Sequence, residues 1–171
     1  MAQRVFTQTF GVVGAILEQD GKILLVQEFS KPRSDRGATD TFADKGKWNQ
    51  PAGWIDVGED PLIAAEREVL EEAGIKVHFD GLLGIYSLHR TSLASVLSAT
   101  PHAIKLIFRA RLAGAEPKVN KTEISDARWF TPEEIYNMDI NILRDFDIKQ
   151  EVQDYFAGRI YPLDIIRHSA S

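Results

Sequence analysis

The sequence predicts an α/β domain in which a mixed β-sheet carries helices on both faces. Segments rich in Val and Ile alternate along the chain with segments of helical periodicity. No repeat, linker or low-complexity tract separates them. The length of 171 residues and the 44% hydrophobic composition allow one buried core. We therefore expect a single domain over residues 1–171, with helices layered against one sheet.

Turn and capping residues predict where the elements lie. Asp20-Gly21 joins two apolar segments and indicates a tight hairpin. Asp60 suits a helix N-cap with Pro61 at the first helical position, and Gly74 suits the left-handed position after the helix. The expected strands are 10–17, 22–29, 77–88, 102–112 and 127–130. The expected helices are 61–73, one opening at the capping box of 131–134, and 145–157.

Charge and composition restrict the function classes. A net charge of −5 argues against sequence-independent binding to nucleic acid and against anchoring on an anionic membrane. The sequence has no cysteine, which excludes disulfides, cysteine nucleophiles and thiolate zinc sites. No segment has the apolar length of a signal peptide or a membrane span, so we expect a cytoplasmic protein without a membrane partner.

The predicted helix at 61–73 carries a dense group of acids. Glu68, Glu71 and Glu72 stand at positions i, i+3 and i+4 and are therefore neighbours on one helix surface. Crowded carboxylates repel one another, and a hard divalent cation relieves that repulsion. Oxygen ligands in a chain without cysteine favour Mg²⁺, with Mn²⁺ as a substitute, over zinc. Such metals serve phosphoanhydride cleavage, in which they neutralise phosphate oxygens.

A solvated acidic face is the alternative interpretation of this helix, and helical geometry bears on it. At about 100° per residue, Glu72 projects about 20° from Ala65, which lies in the apolar stripe, and Glu68 about 40° further round. Only Glu71 points directly away, whereas solvating acids would all lie opposite the stripe. We therefore rank Glu72 and Glu68 above Glu71 as metal ligands and expect Glu66 to be structural. The stripe consists of Leu62, Ala65, Val69 and Ala73.

The acids belong to a longer pattern with fixed spacing. Gly53 is followed after five residues by Glu59 and after seven more by Arg-Glu-Val-Leu-Glu-Glu-Ala-Gly-Ile at 67–75. The pattern resembles the Nudix box of the Nudix hydrolases at every fixed position. The resemblance implies an α/β/α sandwich with a loop-helix-loop catalytic motif. It also implies hydrolysis by metal-activated water of a phosphoanhydride in a nucleoside di- or triphosphate or a nucleoside-diphosphate-linked compound.

The resemblance further assigns roles within the box. It implies that the Gly53 carbonyl contacts the metal, although a turn glycine is an alternative interpretation. It also implies that Glu59 and Arg67 pair and hold the loop against the helix. In the family a distant acid often binds metal or serves as general base. Glu123 and Asp126 are the candidates for that acid, and an ordinary acidic loop is the alternative.

Candidate substrate-binding residues lie before the box. The segment 30–47 is longer than most connections between elements, which is typical of functional or disordered loops. Its basic residues would bind phosphates or a base, unless the loop is simply solvated. Trp48 and Tyr86 are candidates for stacking on a nucleobase or for core packing. The basic residues are Lys31, Arg33 and Arg36.

Two short segments bear on the subfamily. Residues 48–53 (WNQPAG) and 161–166 (YPLDII) resemble a bacterial Nudix phosphatase subgroup that acts on nucleoside tri- and diphosphates and thiamine-type pyrophosphates. The alternatives are an ADP-ribose or nucleotide-sugar pyrophosphatase and a Nudix module that binds nucleotide without cleaving it. The intact acids argue against the module, and the lack of cysteine argues against a related isoprenoid diphosphate isomerase. The expected partner is a small nucleoside phosphate, and a homodimer stays open.

Overall fold

The structure, a computed structural model, describes residues 9–28, 46–89, 102–114 and 124–169. These residues form one seven-stranded mixed sheet with helices on both faces, which confirms the predicted fold class. The strands are β1 (Thr9–Gln19), β2 (Lys22–Glu28), β3 (Trp48–Asn49), β4 (Ala52–Trp54), β5 (Val77–His89), β6 (His102–Leu112) and β7 (Ile124–Phe130). The helices are α1 (Pro61–Ala73), α2 (Pro132–Asn137) and α3 (Ile148–Phe156), with 3₁₀ turns at Ile140–Ile142 and Leu163–Ile165.

Strand β1 organises the sheet because it changes partner along its length. One edge pairs in parallel with β6, and β6 in turn pairs with β5. The other edge pairs first with β4, where Val13 opposes Gly53, and then with β2 through the hairpin. β2 also pairs with β3 and β7. Within the described ranges, no strand pairs with the second edge of β4, and we call this the open edge of β4.

Alternating side chains of the strands fill a core on each face of the sheet. Ala15 of β1 packs with Val69 of α1 on one face. Ile16 of β1 packs with Val152 of α3, and with residues that follow β7, on the other face. α1 thus packs on one face of the sheet, and α2 and α3 pack on the opposite face.

The turn and capping predictions are confirmed. Asp20 and Gly21 both have positive φ, 50° and 77°, as the tight hairpin requires. α1 spans the predicted residues, with the Leu62 N–H donating to the Asp60 side chain and Gly74 in the left-handed conformation. The capping box at Thr131 opens α2. These local signals act within one turn of chain, so they can be predicted from neighbours in sequence.

Several boundaries differ from the predictions. The strand expected at 127–130 begins at Ile124, and the two short strands β3 and β4 were not predicted. The third helix begins at Ile148 rather than at 145, because Asp145 and Asp147 bind Lys105 of β6 instead of entering the helix. Most of the segment 30–47, namely 30–45, lies outside the described residues. Within the described ranges, no helix is long and apolar enough to span a bilayer.

Candidate active site

The loop before α1 is held against the helix by an ion pair. Arg67 Nε lies 2.8 Å from Glu59 Oε1, and Nη2 donates to Glu59 Oε2 at 2.9 Å, a bidentate arrangement. Glu59 also accepts from the Asp56 N–H at 3.0 Å. The guanidinium of Arg67 lowers the pKa of Glu59 below its ordinary value. The pairing implied by the family resemblance is therefore present, and it closes the loop onto the helix.

Arg67 also contacts the acids and β4. Its Nη1 lies 2.6 Å from Glu68 Oε1 and 3.5 Å from Glu71 Oε2. Its Nη2 donates to the Trp54 carbonyl at 3.0 Å. Hydrogen bonds to Glu59 are the main cause that raises the pKa of the Arg67 guanidinium, so it remains charged. One cation thus links the loop, the strand and the acidic cluster, and offsets part of the cluster's negative charge.

The three candidate metal ligands on α1 differ in exposure as predicted, with Glu71 more exposed than Glu68 and Glu72. Glu68 and Glu72 are only 4% and 7% exposed, whereas the Glu71 side chain is 40% exposed. Glu72 Oε2 accepts from the Ala52 N–H at 3.0 Å. The Glu68 carboxyl packs against Gly53 so closely that a Cβ there would overlap it. Glu68 and Glu72 therefore converge on the start of β4.

The strand register decides which carbonyl of β4 faces these carboxylates. The Ile55 N–H donates to the Gly11 carbonyl at 3.1 Å, and Val13 opposes Gly53 two residues along. Hydrogen-bonded pairs recur at every second residue of an antiparallel ladder. The Val13–Gly53 pair is therefore hydrogen-bonded as well, and the Gly53 carbonyl faces β1.

This register contradicts the expectation that the Gly53 carbonyl contacts the metal. Ala52 and Trp54 have the opposite orientation, with their backbone groups at the open edge of β4. Two contacts agree with it: the Ala52 N–H binds Glu72, and the Trp54 carbonyl binds Arg67. The backbone oxygen on the carboxylate side thus belongs to Ala52, a residue that the sequence reasoning missed. The special requirement at Gly53 is space for Glu68.

The donor set at this edge fits Mg²⁺. It consists of two buried carboxylates, Glu68 and Glu72, with Glu71 alongside and the Ala52 carbonyl on the same edge. Among the described residues, no three acidic or histidine side chains converge as a complete metal cage. Mg²⁺ commonly binds through one or two carboxylates and keeps water or substrate phosphate as its other ligands. The all-oxygen set therefore suits a metal shared with a phosphate chain.

Trp48 and Tyr86 occupy packed positions. Trp48 is 8% exposed and makes an edge-to-face contact with Phe130, with ring centroids 5.0 Å apart. The Tyr86 hydroxyl donates to Asp154 at 3.0 Å, and its ring packs in the core under α3. Of the two interpretations left open by the sequence, these contacts favour core packing for both residues over stacking on a nucleobase.

The remaining candidates divide between described and undescribed residues. Asp126 pairs with Arg128 Nε at 2.6 Å and accepts from the Ala127 N–H at 2.9 Å, so its carboxylate is engaged on β7. The distant acid Glu123 lies outside the described residues, and its role stays a prediction. The basic candidates Lys31, Arg33 and Arg36 also lie outside the described residues.

A second charged cluster was not predicted. Lys105 of β6 is buried, with Nζ 2.7 Å from Glu151, 3.0 Å from Asp147 and 3.4 Å from Asp145. Burial raises the pKa of Glu151 to about 7, although Lys105 opposes the shift. Burial alone would lower the pKa of Lys105, but the carboxylates outweigh it and the pKa is raised. The available signal was a single lysine within an apolar strand and an acid-rich segment later in the chain.

The chain resembles known proteins over most of its length. The family model described as the NUDIX domain matches residues 7–151. Phosphatase NudJ of Escherichia coli is 29% identical over 157 residues, which cover 90% of this chain and 88% of that protein. A MutT-like protein of Streptomyces ambofaciens is 28% identical over 124 residues, or 72% of this chain, and the match spans 64% of that protein.

A solved structure agrees with these matches. A NUDIX hydrolase from Nitrosomonas europaea superposes with a TM-score of 0.76 and 32% identity, covering 95% of this chain and 98% of the other. The likeness to a bacterial Nudix phosphatase subgroup is confirmed by the NudJ match. The acids on α1, the Glu59–Arg67 pair and the family match together show that the chain belongs to the Nudix hydrolase family.

Proposed function

We propose that the protein is a Mg²⁺-dependent hydrolase that cleaves a phosphoanhydride bond in a nucleoside di- or triphosphate, or in a nucleoside-diphosphate-linked compound. The observation that carries this proposal is the convergence of Glu68 and Glu72 on the open edge of β4. Both carboxylates are buried, and both are held by contacts that exist before substrate arrives. Preorganised groups of this kind stabilise developing charge with little reorganisation.

Some residues of the site supply negative charge for the metal, and others hold those residues in position. Glu72 is oriented by the Ala52 N–H, and Glu68 by Arg67 and by the space at Gly53. Arg67 in turn is oriented by Glu59. A bound Mg²⁺ would neutralise phosphate oxygens and orient the phosphate chain for attack by water. In this proposal Glu68, Glu72 and Glu71 hold the metal, and Glu59 and Arg67 position them.

The relatives support the reaction class. The Escherichia coli relatives are named phosphatases, which favours cleavage at phosphorus, and the aligned segment covers most of both chains. Turnover of ADP-ribose or of a nucleotide sugar is the alternative within the same chemistry. The two alternatives differ only in the group attached to the diphosphate, so one substrate panel decides between them.

The test is hydrolysis of a panel of nucleoside phosphates and diphosphate conjugates with Mg²⁺ in ¹⁸O-labelled water. Mass spectrometry of the products identifies the substrate, and the labelled phosphate identifies the phosphorus that water attacks. We expect activity to disappear with EDTA and to return with Mg²⁺ or Mn²⁺. Glu72→Gln should lower kcat at least roughly 100-fold, the scale for losing one electrostatic stabiliser.

The matched control is Glu66→Gln, which removes the same charge from an exposed position of the same helix. It should leave kcat within about 2-fold, since exposed charges contribute little. Turnover that persists in EDTA, or equal kcat for Glu72→Gln and Glu66→Gln, would contradict the proposal. So would a panel in which no compound is cleaved in the presence of either metal.

A further inference from the structure

Trp54 is an exposed aromatic residue next to the candidate active site. It directly follows Gly53 in β4 and is 43% exposed. Its ring stacks on Phe10 of β1, with centroids 5.0 Å apart and planes 20° from parallel. Single exposed apolar residues are ordinary on protein surfaces. This one is distinguished by its place on the strand that contacts Glu68 and Glu72, and by the contacts that fix it.

Trp54 is fixed through both its backbone and its ring. Its carbonyl accepts from Arg67 at 3.0 Å, and the same Arg67 binds Glu68. Its backbone pairs with Val12 of β1, and Phe10 supports the ring from one side. A ring held in this way loses little conformational freedom when a ligand stacks on it. The exposed part of Trp54 is therefore a preformed aromatic surface at a constant position relative to Glu68.

The sheet geometry relates this surface to the carboxylates. Successive side chains of a strand point to opposite faces, so Trp54 lies on the face opposite to Gly53 and α1. The edge carbonyl of Ala52 is two residues away, about 7 Å along the strand. A compound whose phosphates lie at the edge of β4 can therefore turn around that edge and place a ring on Trp54.

We propose that Trp54 is the stacking surface for the heteroaromatic base of the substrate, and that it sets the preference for nucleoside over simple diphosphates. The proposal rests on the function proposed above, because it takes the phosphates to lie at Glu68 and Glu72. Trp54 thereby has the role for which Trp48, now found packed in the core, was one candidate from the sequence. Stacking on an aromatic side chain tolerates every base, since each has a π-face.

The test measures binding without turnover, in the Glu72→Gln background with Mg²⁺. The probes are ADP, GDP, CDP and UDP, with inorganic pyrophosphate as the ligand that lacks a ring, each titrated by calorimetry. Trp54→Ala should lower the affinity for all four nucleotides roughly 10-fold or more and leave the affinity for pyrophosphate unchanged. Trp54→Phe should retain most of the nucleotide affinity. The control Phe156→Ala removes another exposed aromatic, on α3, and should change neither.

The outcomes separate this inference from the proposed function. If the wild type hydrolyses nucleotides and Trp54→Ala keeps nucleotide affinity and KM, the inference is wrong and the hydrolase proposal stands. If Trp54→Ala lowers the affinity for pyrophosphate as much as the affinity for nucleotides, Trp54 supports the phosphate site and does not bind a base. If no nucleotide binds or is cleaved, both proposals fail. Selective loss of nucleotide affinity, with pyrophosphate unchanged, supports the inference.

Discussion

At the scale of single residues, the candidate site depends on the lack of a side chain at Gly53. Gly53 does not have the positive φ that usually requires glycine. Its role is to leave room for the Glu68 carboxyl group, which occupies the space a Cβ would fill. The obstructing atoms belong to the far end of a flexible side chain, so a larger residue would displace Glu68 more readily than the backbone.

We therefore predict that Gly53→Ala affects activity more than stability. Displacing Glu68 should lower kcat about 100-fold, the scale for misplacing a group by about 1 Å. The free energy of unfolding should fall by only about 1 kcal/mol. Steady-state kinetics and urea denaturation measure the two quantities. Gly114→Ala is the control, because no atom of the described residues lies within 4 Å of a Cβ built there. An unchanged kcat for Gly53→Ala would show that catalysis does not depend on the position of Glu68.

At the scale of elements, a buried ion cluster attaches α3 and the segment before it to the sheet. Lys105 of β6 faces three carboxylates, two from that segment and one from the first turn of α3. The same segment reaches the strand before the active site, where the Arg144 N–H donates to the Trp48 carbonyl at 2.9 Å. Burial raises the pKa of Glu151 and of Asp147, and the neighbouring carboxylates add to that rise because one ammonium does not balance three carboxylates.

The cluster predicts an unusual pH dependence of stability. In the folded protein the pKa of Glu151 is about 7, whereas in the unfolded chain it has the ordinary value of 4.5. The contribution of Glu151 to the free energy of unfolding is therefore fully present below pH 4.5 and is lost as the pH rises to about 7. Glu151→Gln should remove this fall, which urea denaturation between pH 4.5 and 8 would measure. An identical slope in both proteins would contradict the assignment to Glu151.

Removing the Lys105 ammonium should lower the free energy of unfolding more than removing one carboxylate of the cluster. Lys105→Met leaves buried carboxylates without their counter-charge and should lower the free energy of unfolding by about 3–5 kcal/mol at pH 8. The loss should be smaller at pH 5, where the carboxylates take up protons. The control is Arg111→Met, which removes an exposed ion pair with Asp80 and should cost less than about 1 kcal/mol. Equal losses in the two variants would argue against a tightly buried cluster.

At the scale of the whole molecule, the segment after α3 connects the two faces of the sheet. It leaves α3 on one face and pairs with β5, where Leu82 and Tyr161 exchange two backbone hydrogen bonds of 2.8 Å. Beyond that point, Leu163 and Ile166 pack in the cluster that contains Ala65 of α1. This segment, which lies beyond the end of the family match at residue 151, packs against the cluster that supports α1.

The crossing over β5 depends on Gly81. A Cβ at Gly81 would overlap Ile160 and lie 2.7 Å from the Tyr161 carbonyl oxygen, a backbone atom. Gly81→Ala should therefore lower the free energy of unfolding by about 1–3 kcal/mol and Tm by roughly 2–4 °C per kcal/mol. The kcat of the folded enzyme should stay within about 2-fold, because Gly81 contacts none of the α1 acids. Thermal denaturation measures the loss, and a Tm equal to that of Gly114→Ala would be the contrary result.

The features predicted from sequence are those set by residues close together in the chain. The caps of α1, the hairpin at Asp20-Gly21 and the exposure order of Glu68, Glu71 and Glu72 follow from φ preferences and helical periodicity. The Glu59–Arg67 pair, implied by the family resemblance, also spans only eight residues. The sequence by itself therefore determined the bounds of α1, the family of the chain and which acids of α1 are buried against β4.

Tertiary structure decided the features that depend on contacts between distant segments. Pairing with β1 turned the Gly53 carbonyl inward and left that of Ala52 at the edge. Burial favours core packing of Trp48 over stacking on a base, and Asp145 pairs with Lys105 ahead of the start of α3. Strand register and the balance of buried charge arise only when segments meet in space, because neither is encoded in the periodicity of any single segment.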